Sequence, residues 1–198
     1  MRILDRILQN WRARMARPWI GAGACVLDIG CHQGEFLDSL GDHIGPSVGL
    51  DPLTTPRVTP RYRLLAEPFQ EPSPFPDASF DVIVMLATLE HIQDTDSLAR
   101  ECNRLLRPGG RVVITVPSRQ VDAIVDWFCR LGLADGMSLE EHHGFDPLTT
   151  PQLFGTYAFE VEKWRTFQFR LNHLFVLRKP SLQTKRARAL ETLSSGKA

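Results

Sequence analysis

The stretch that most constrains this chain is CVLDIGCHQGEF, which runs from Cys25 to Phe36. It begins with an apolar run of strand length that contains one carboxylate, Asp28, and a carboxylate is unfavourable there unless something binds it. Gly30 and Gly34 then mark a tight turn, after which helical spacing resumes. A strand that leads through a glycine turn into a helix directs backbone N–H groups at whatever lies over the turn, and glycine lets a ligand approach the backbone. The pattern predicts a cofactor cradle.

A second acidic residue, Asp51, ends the next predicted strand, about one β–α–β step beyond the turn. In nucleotide-binding α/β proteins, an acid at this place accepts hydrogen bonds from ribose hydroxyls. Two long apolar stretches follow, FDVIVMLATLEHI and LLRPGGRVVITVP. Near-continuous apolar runs of this kind are typical of parallel strands that are buried on both faces.

This ordered set of motifs, from about Cys25 to Pro117, resembles the class I S-adenosylmethionine-dependent methyltransferases, and within them the branch of the ubiquinone and menaquinone methyltransferases. The resemblance implies that the cofactor is S-adenosylmethionine and that S-adenosylhomocysteine is the product. The cofactor-binding residues that the resemblance implies are Asp28, Gly30, Cys31, His32, Gly34, Asp51, Glu67 and Ala87.

Two of these positions leave alternatives open. His32 stands where members of the family usually carry a glycine, and it either contacts the methionine carboxylate or points to solvent. We favour the second alternative, because histidine tolerates unusual backbone angles better than most residues. Glu67 follows the predicted third strand, where it either lies near the adenine amine or is a solvated loop carboxylate.

The alternation of strands and helices predicts an α/β fold, a Rossmann-like doubly wound sheet of seven strands that is mostly parallel. The runs Phe159 to Phe169 and Leu171 to Arg178 are too close for a parallel crossover, so we expect an antiparallel hairpin at the C-terminal end of the sheet. Prolines 52, 56 and 60 exclude the helix expected after the second strand. The other predicted elements are strands at Ser47–Leu50, Tyr62–Ala66, Phe80–Leu86 and Arg111–Val116, helices at Asp94–Leu106, Val121–Leu133 and Pro151–Tyr157, and an N-cap at Thr149 or Thr150 for the last helix.

Three segments are expected: an N-terminal amphipathic docking helix at 1–20, a methyltransferase domain at 21–180, and a polar flexible tail at 181–198. Helical spacing places one apolar face on the first segment, and arginines dominate its other positions. A basic amphipathic helix either packs on the domain or lies peripherally on a membrane surface. We favour packing, because the apolar face leads into a domain that needs covering. The residues of the apolar face are Ile3, Leu4, Ile7, Leu8, Trp11 and Met15.

The composition excludes several classes of function. Lysine plus arginine equals aspartate plus glutamate, 23 of each, so there is no global attraction to nucleic acid. The four cysteines show no CxxC spacing, which indicates reduced thiols and a cytoplasmic protein. No apolar run has the length of a membrane span, so integral membrane contact is not expected.

Three histidines are candidates for a proton acceptor. His91 follows the fourth predicted strand, and His142 and His143 lie together in EEHHGFDP. Because neighbouring residues point apart, we take His91 and His143 as the catalytic candidates, and no metal site is expected since the spacing of the nearby acids matches no standard site. The expected function is methyl transfer to a small-molecule acceptor with an oxygen or carbon nucleophile. The alternatives are a non-catalytic S-adenosylmethionine-binding module and a nicotinamide-binding oxidoreductase.

Overall fold

The protein is described here from a computed structural model that covers residues 3–118, 146–181 and 183, with side chains from Arg6 onward. The helices are α1 (Ile3–Ala16), α2 (Glu35–Leu40), α3 (Thr95–Leu105) and α4 (Thr150–Thr156). Short 3₁₀ turns cover Arg17–Trp19, Gly41–His43, Leu89–His91 and Pro147–Thr149. The strands are β1 (Val26–Ile29), β2 (Ser47–Leu50), β3 (Arg57–Val58), β4 (Tyr62–Leu65), β5 (Phe80–Leu86), β6 (Leu106–Pro117), β7 (Glu160–Phe167) and β8 (Asn172–Arg178).

The strands form one mixed sheet in the order β3-β4-β2-β1-β5-β6-β8-β7. The five strands β4, β2, β1, β5 and β6 are parallel, and β8 runs antiparallel to both β6 and β7. The Rossmann-like sheet with a C-terminal antiparallel hairpin is therefore confirmed.

The described residues form eight strands, one more than the seven predicted. The additional strand, β3, consists of Arg57 and Val58 and pairs antiparallel with the outer edge of β4. The prolines at 52, 56 and 60 do prevent a helix here, as predicted. Arg57 and Val58, which lie between the last two of these prolines, keep their N–H groups, so they can extend the sheet at its edge, where proline is tolerated.

One local prediction was wrong. β6 begins at Leu106, directly after α3, and includes the Pro-Gly-Gly segment that was predicted to separate helix from strand. Gly109 takes a left-handed φ of 86°, and the pairing with β5 is irregular there, so the segment bulges within the strand. Thr149 is the N-cap residue of α4, one of the two positions predicted, but its side chain makes no capping hydrogen bond. The side chain of Asp146 caps the 3₁₀ turn that precedes α4, where it accepts from the Leu148 N–H at 3.0 Å. The helix predicted at Val121–Leu133 and nearly all of the tail lie outside the described residues.

The core lies in two layers, one on each face of the sheet. Alternate residues of β1 contribute to opposite layers, Leu27 to one and Val26 to the other, and both are fully buried. α3 and α4 cover the first layer through Leu98 and Phe154. α2 covers the second layer through Leu37. Burial on both faces is the reason that the central strands read as continuous apolar runs.

α1 packs on the second layer, and only part of the predicted apolar face takes part in this contact. The contact with the core runs through Ala16, which is fully buried, and through Ala13 and Met15, which are partly buried. Trp11 and Ile7, which belong to the predicted apolar face, remain 38% and 54% exposed. The three-segment division stays a prediction. Within the described part of the chain, no helix combines the length and apolar character that crossing a membrane requires.

Candidate cofactor site

The two glycines of the turn after β1 are both left-handed, with φ of 77° at Gly30 and 83° at Gly34. A Cβ on Gly30 would lie 2.3 Å from Thr88 Oγ1, and one on Gly34 would lie 2.9 Å from Leu64 Cδ1. At Gly30 both the packing of Thr88 and the backbone angle require the absence of a side chain. At Gly34 the near atom is the end of a flexible side chain, so the backbone angle is the main requirement. The turn is also tied to β2, since the Gly30 N–H donates to the Leu50 carbonyl at 2.8 Å.

Asp28 lies in β1 immediately before the turn and is 2% exposed. Its Oδ2 is buried and has no hydrogen-bond partner among the described residues. Burial, followed by the neighbouring carboxylates of Asp51 and Glu35, raises the pKa of Asp28 from its ordinary 3.8 to about 7. A buried oxygen of this kind is unfavourable until a donor reaches it, so the site is suited to a ligand that brings a hydrogen-bond donor or a positive charge.

Asp51 follows β2 and faces the turn. Its Oδ2 accepts from the His32 N–H at 2.9 Å, and its Oδ1 accepts from the Leu53 N–H at 2.8 Å. A carboxylate has about four acceptor positions, so these two bonds orient the group and leave acceptor capacity for hydroxyls. Asp51 is therefore a prearranged acceptor at the mouth of the turn.

His32 occupies a left-handed backbone position with φ of 49°, which explains how the turn can carry a side chain here. Its Nδ1 lies 2.8 Å from Glu35 Oε1, and both side chains are exposed to solvent in part. The imidazole thus has a partner within the first turn of α2. This arrangement agrees with the alternative in which His32 points outward, although the contact to a methionine carboxylate stays untested.

Cys31 and Ala87, the remaining predicted residues near the turn, make contacts within the protein and present no reactive group to a ligand. The Cys31 thiol is buried and lies 3.7 Å from the His32 carbonyl, and burial, Asp28 and Asp51 raise its pKa. Ala87, at the end of β5, has a left-handed φ of 57° and donates its N–H to the Thr115 carbonyl at 2.8 Å. That unusual angle places Thr88, the next residue, against Gly30.

A pocket of about 770 Å³ opens beside the turn, over the carboxyl ends of β1 and β2 and the segments that follow β4 and β5. Ligands of open α/β sheets bind at this edge. Its floor and walls are largely apolar, with polar side chains from the Leu89–His91 turn and from α3. The lining residues are Ile29, Gly30, Leu50, Pro52, Pro68, Phe69, Glu71, Pro72, Thr88, His91, Ile92, Gln93, Asp94, Ser97, Leu98 and Arg100.

The other predicted site residues differ in where they lie relative to this pocket. His91 lies in the pocket lining, half-buried, at the end of its 3₁₀ turn. Glu67 is exposed and does not line the pocket, while the next residues along the chain, Pro68 and Phe69, do. His143 lies outside the described residues.

Sequence reasoning missed three contributors to the site. Gln33 joins the turn to the segment after β2, since its Nε2 donates to the Leu53 carbonyl at 3.1 Å and its Oε1 accepts from the Thr55 N–H at 3.2 Å. An ion pair of Glu71 and Arg100, 2.6 Å apart, forms part of the pocket wall. Pairs separated by 22 or 29 residues leave no local pattern in a single sequence.

Two relatives are similar to this chain in sequence. A ubiquinone biosynthesis O-methyltransferase from Pseudomonas aeruginosa is 31% identical over 154 residues, which are 71% of this chain and 64% of that protein. A protein named as a probable S-adenosylmethionine-dependent methyltransferase from Mycolicibacterium smegmatis is 37% identical over 107 residues, which are 50% of this chain and 40% of that protein. The chain therefore spans between 40% and 64% of the length of these curated relatives.

The fold has counterparts among solved structures. The crystal structure of an S-adenosylmethionine-dependent methyltransferase from Mesorhizobium loti matches with a TM-score of 0.61 at 17% identity, over 86% of this chain and 97% of that one. At this identity the match shows the fold alone.

A family model described as a methyltransferase domain matches residues 2–189, nearly the whole sequence, and the turn, the two acids and the mixed sheet lie within that match. The chain belongs to the methyltransferase domain family.

Proposed function

We propose that this protein is an S-adenosylmethionine-dependent methyltransferase that transfers a methyl group to a small-molecule acceptor. The observation that carries the proposal is Asp28, a buried carboxylate with an unpartnered Oδ2 directly before the glycine turn. The amino-acid end of S-adenosylmethionine bears an ammonium group, which supplies both the hydrogen-bond donor and the positive charge that such an oxygen lacks. In dinucleotide-binding α/β proteins the pyrophosphate lies at such a turn, and an anion does not satisfy a buried carboxylate oxygen, so the oxidoreductase alternative is less well supported.

The rest of the cofactor finds matching chemistry along the same edge of the sheet. Asp51 would accept hydrogen bonds from the ribose hydroxyls with the lone pairs that its two backbone bonds leave open. The apolar side of the pocket, at Leu50, Pro52 and Phe69, offers flat surfaces for an adenine ring. Glu67 stays a candidate for the adenine amine, and Glu71 lies nearer to the pocket.

When bound, S-adenosylmethionine supplies a methyl carbon whose bond to sulfur breaks, with both electrons going to sulfur, as the acceptor atom bonds to it. The protein's part is to align the acceptor with that carbon and to keep water out. We propose His91 as the group that takes the proton lost by a hydroxyl acceptor, and its position in the pocket lining supports this role. His143 is the second candidate for this role.

We favour an oxygen nucleophile, such as a phenolic hydroxyl, over a carbon nucleophile. Support comes from the relative from Pseudomonas aeruginosa, which is named as a ubiquinone biosynthesis O-methyltransferase. A histidine in the pocket wall agrees with this choice, because a hydroxyl has a proton to lose when it is methylated.

Titration calorimetry with S-adenosylmethionine, S-adenosylhomocysteine and NAD tests the proposal, followed by measurement of S-adenosylhomocysteine release with a panel of phenols and activated carbon acids. We expect binding of the first two ligands, no binding of NAD, and turnover with phenols. Binding of NAD alone would contradict the function. Cofactor binding without turnover on any acceptor would favour the non-catalytic binding module.

A further inference from the structure

Three large apolar side chains form a contiguous exposed surface, here called the aromatic patch and consisting of Ile7, Trp11 and Phe169. Their exposed fractions are 54%, 38% and 90%. The rings of Trp11 and Phe169 meet edge to face with centroids 6.2 Å apart, so the helix and the hairpin tip contribute to one surface. Single exposed apolar residues are ordinary, whereas a joined group that includes a nearly fully exposed phenylalanine indicates an interaction site.

Arginines border the aromatic patch. Arg6 and Arg14 are exposed on α1, and Arg170 directly follows Phe169 at the tip of the hairpin. In the described part of the chain, none of the three forms an ion pair with an acidic side chain. The face is therefore both apolar and positively charged, although the whole chain carries equal numbers of acidic and basic residues.

The spacing on α1 places these groups on one side of the helix. Ile7, Trp11 and Arg14 follow the i, i+4, i+7 pattern, which aligns side chains along one face. The buried side of the helix, at Ala16, lies elsewhere on its circumference. α1 is thus held to the domain by one side and presents an amphipathic strip with the other.

The hairpin tip is held so that Phe169 projects. Gln168, Phe169 and Arg170 all have left-handed φ, of 50°, 57° and 68°, which non-glycine residues adopt only when the surroundings impose it. Gln168 is 2% exposed and its Nε2 donates to the Leu8 carbonyl at 2.9 Å, while its Oε1 accepts from Asn172 Nδ2 at 2.6 Å. These bonds fix the tip to α1, so the aromatic patch is a preformed surface.

We propose that the aromatic patch and its three arginines bind the surface of an anionic lipid bilayer. Tryptophan and phenylalanine insert at the boundary of headgroups and acyl chains, and arginines beside them attract anionic headgroups. A second copy of the chain fits less well, because in a two-fold contact the same arginines would meet one another. The hairpin tip lies at the same edge of the sheet as the cofactor turn, since it pairs with the carboxyl end of β6. The inference does not rest on the proposed methyl transfer.

Vesicle co-sedimentation tests the proposal with the full chain. We expect binding to phosphatidylcholine vesicles that contain phosphatidylglycerol, little binding to phosphatidylcholine alone, and release as the salt concentration rises. Trp11 fluorescence provides a second measurement, since lipids brominated in the acyl chain should quench it. The variant Trp11→Phe keeps an aromatic ring against Phe167 and should lose that part of the quenching.

Matched variants separate the surface from general effects on folding. Arg14→Gln with Arg170→Asn should weaken binding about 25-fold, from about fivefold for each basic residue near an anionic surface. Phe169→Asn, at a position where asparagine suits the backbone, should weaken binding about tenfold or more. Val58→Gln with Arg63→Gln is the control, because Val58 and Arg63 are exposed and cross-strand neighbours at the opposite edge of the sheet.

Each result of these experiments either supports or overturns the proposal. The proposal is supported if the patch variants lose vesicle binding while the control binds as the wild type does. It is overturned if the wild type ignores anionic vesicles or if the patch variants and the control lose binding equally. It is also overturned in favour of a contact between copies if the wild type sediments as a dimer that Phe169→Asn dissociates.

Discussion

The backbone N–H of His32 donates to Oδ2 of Asp51 at 2.9 Å, which joins the turn after β1 to the end of β2. His32 itself has a left-handed backbone angle, with φ of 49°. Asp51 is therefore held in place before any ligand arrives, and binding does not have to order it. The same bond explains why a residue other than glycine is tolerated here, because the side chain leaves the turn on the solvent side, towards Glu35.

Asp51→Ala should weaken the binding of S-adenosylmethionine by about 1.5–3 kcal/mol, the usual range for a hydrogen bond to a charged group. The substitution removes the ribose acceptor and leaves the His32 and Leu53 N–H groups without their partner. Titration calorimetry measures the change. Asp42→Ala is the matched control, since the Asp42 side chain is 93% exposed and pairs with Arg61 away from the turn. Equal affinities of the two variants would contradict the assignment of Asp51.

Gly30→Ala should lower the free energy of unfolding, because Thr88 fills the space that a Cβ needs. The left-handed backbone contributes about 1–2 kcal/mol of the loss and the overlap with Thr88 about 1–3 kcal/mol. Urea unfolding measures it. Gly155→Ala is the control, because nothing lies within 4 Å of a Cβ at this helical position and alanine favours helix there. If both variants unfold alike, the close packing of Thr88 on the turn is not a constraint.

The stability of the protein without ligand should decrease with pH because of Asp28. Its pKa is about 7 in the folded protein against an ordinary 3.8, so between these values the folded state binds more protons than the unfolded state. The contribution of neutral Asp28 is therefore complete below about pH 4, and it is lost as the pH rises through 7. A shift of about three pKa units corresponds to at most about 4 kcal/mol.

Asp28→Asn removes this titration while keeping the shape of the side chain. The free energy of unfolding, from urea curves at pH 5 and pH 8, should fall less between these values in the variant than in the wild type. At pH 8 the variant should be the more stable protein, but its affinity for S-adenosylmethionine should be lower because it has no charge for the ammonium group. The effect is excluded if the free energy of unfolding changes between pH 5 and pH 8 by the same amount in the wild type and in the variant.

His91→Ala should reduce turnover of a hydroxyl acceptor by about 10²–10⁴-fold and leave the affinity for S-adenosylmethionine nearly unchanged, if His91 accepts the proton. His91→Gln keeps a polar side chain in the pocket lining and should be as slow as the alanine variant. If glutamine restores the rate, His91 has a positioning role instead. His143→Ala, measured in parallel, decides between the two histidines.

The sequence by itself determined the sheet and most of the turn. Cys25 to Phe36 contains its strand, its two glycines and its carboxylate within twelve residues, so the constraint is local and can be read without a partner. The run at Phe80–Leu86 predicted a buried strand for the same reason, since burial on both faces requires apolar residues at consecutive positions. The short link before Asn172 left only a hairpin as the connection.

Only the tertiary structure decided how distant segments meet. The Glu71–Arg100 pair and the bonds of Gln33 join residues far apart in the chain, and their side chains are ordinary polar residues until the fold brings them together. The orientation of α1 is of the same kind. Its apolar spacing predicted one buried face, and Met15 of that face does pack on the core. Trp11 of the same face stays 38% exposed, whereas Ala16, which lies outside it, is fully buried. An apolar pattern indicates that a face will be covered, whereas the partner that covers it depends on the shape of the neighbouring surface.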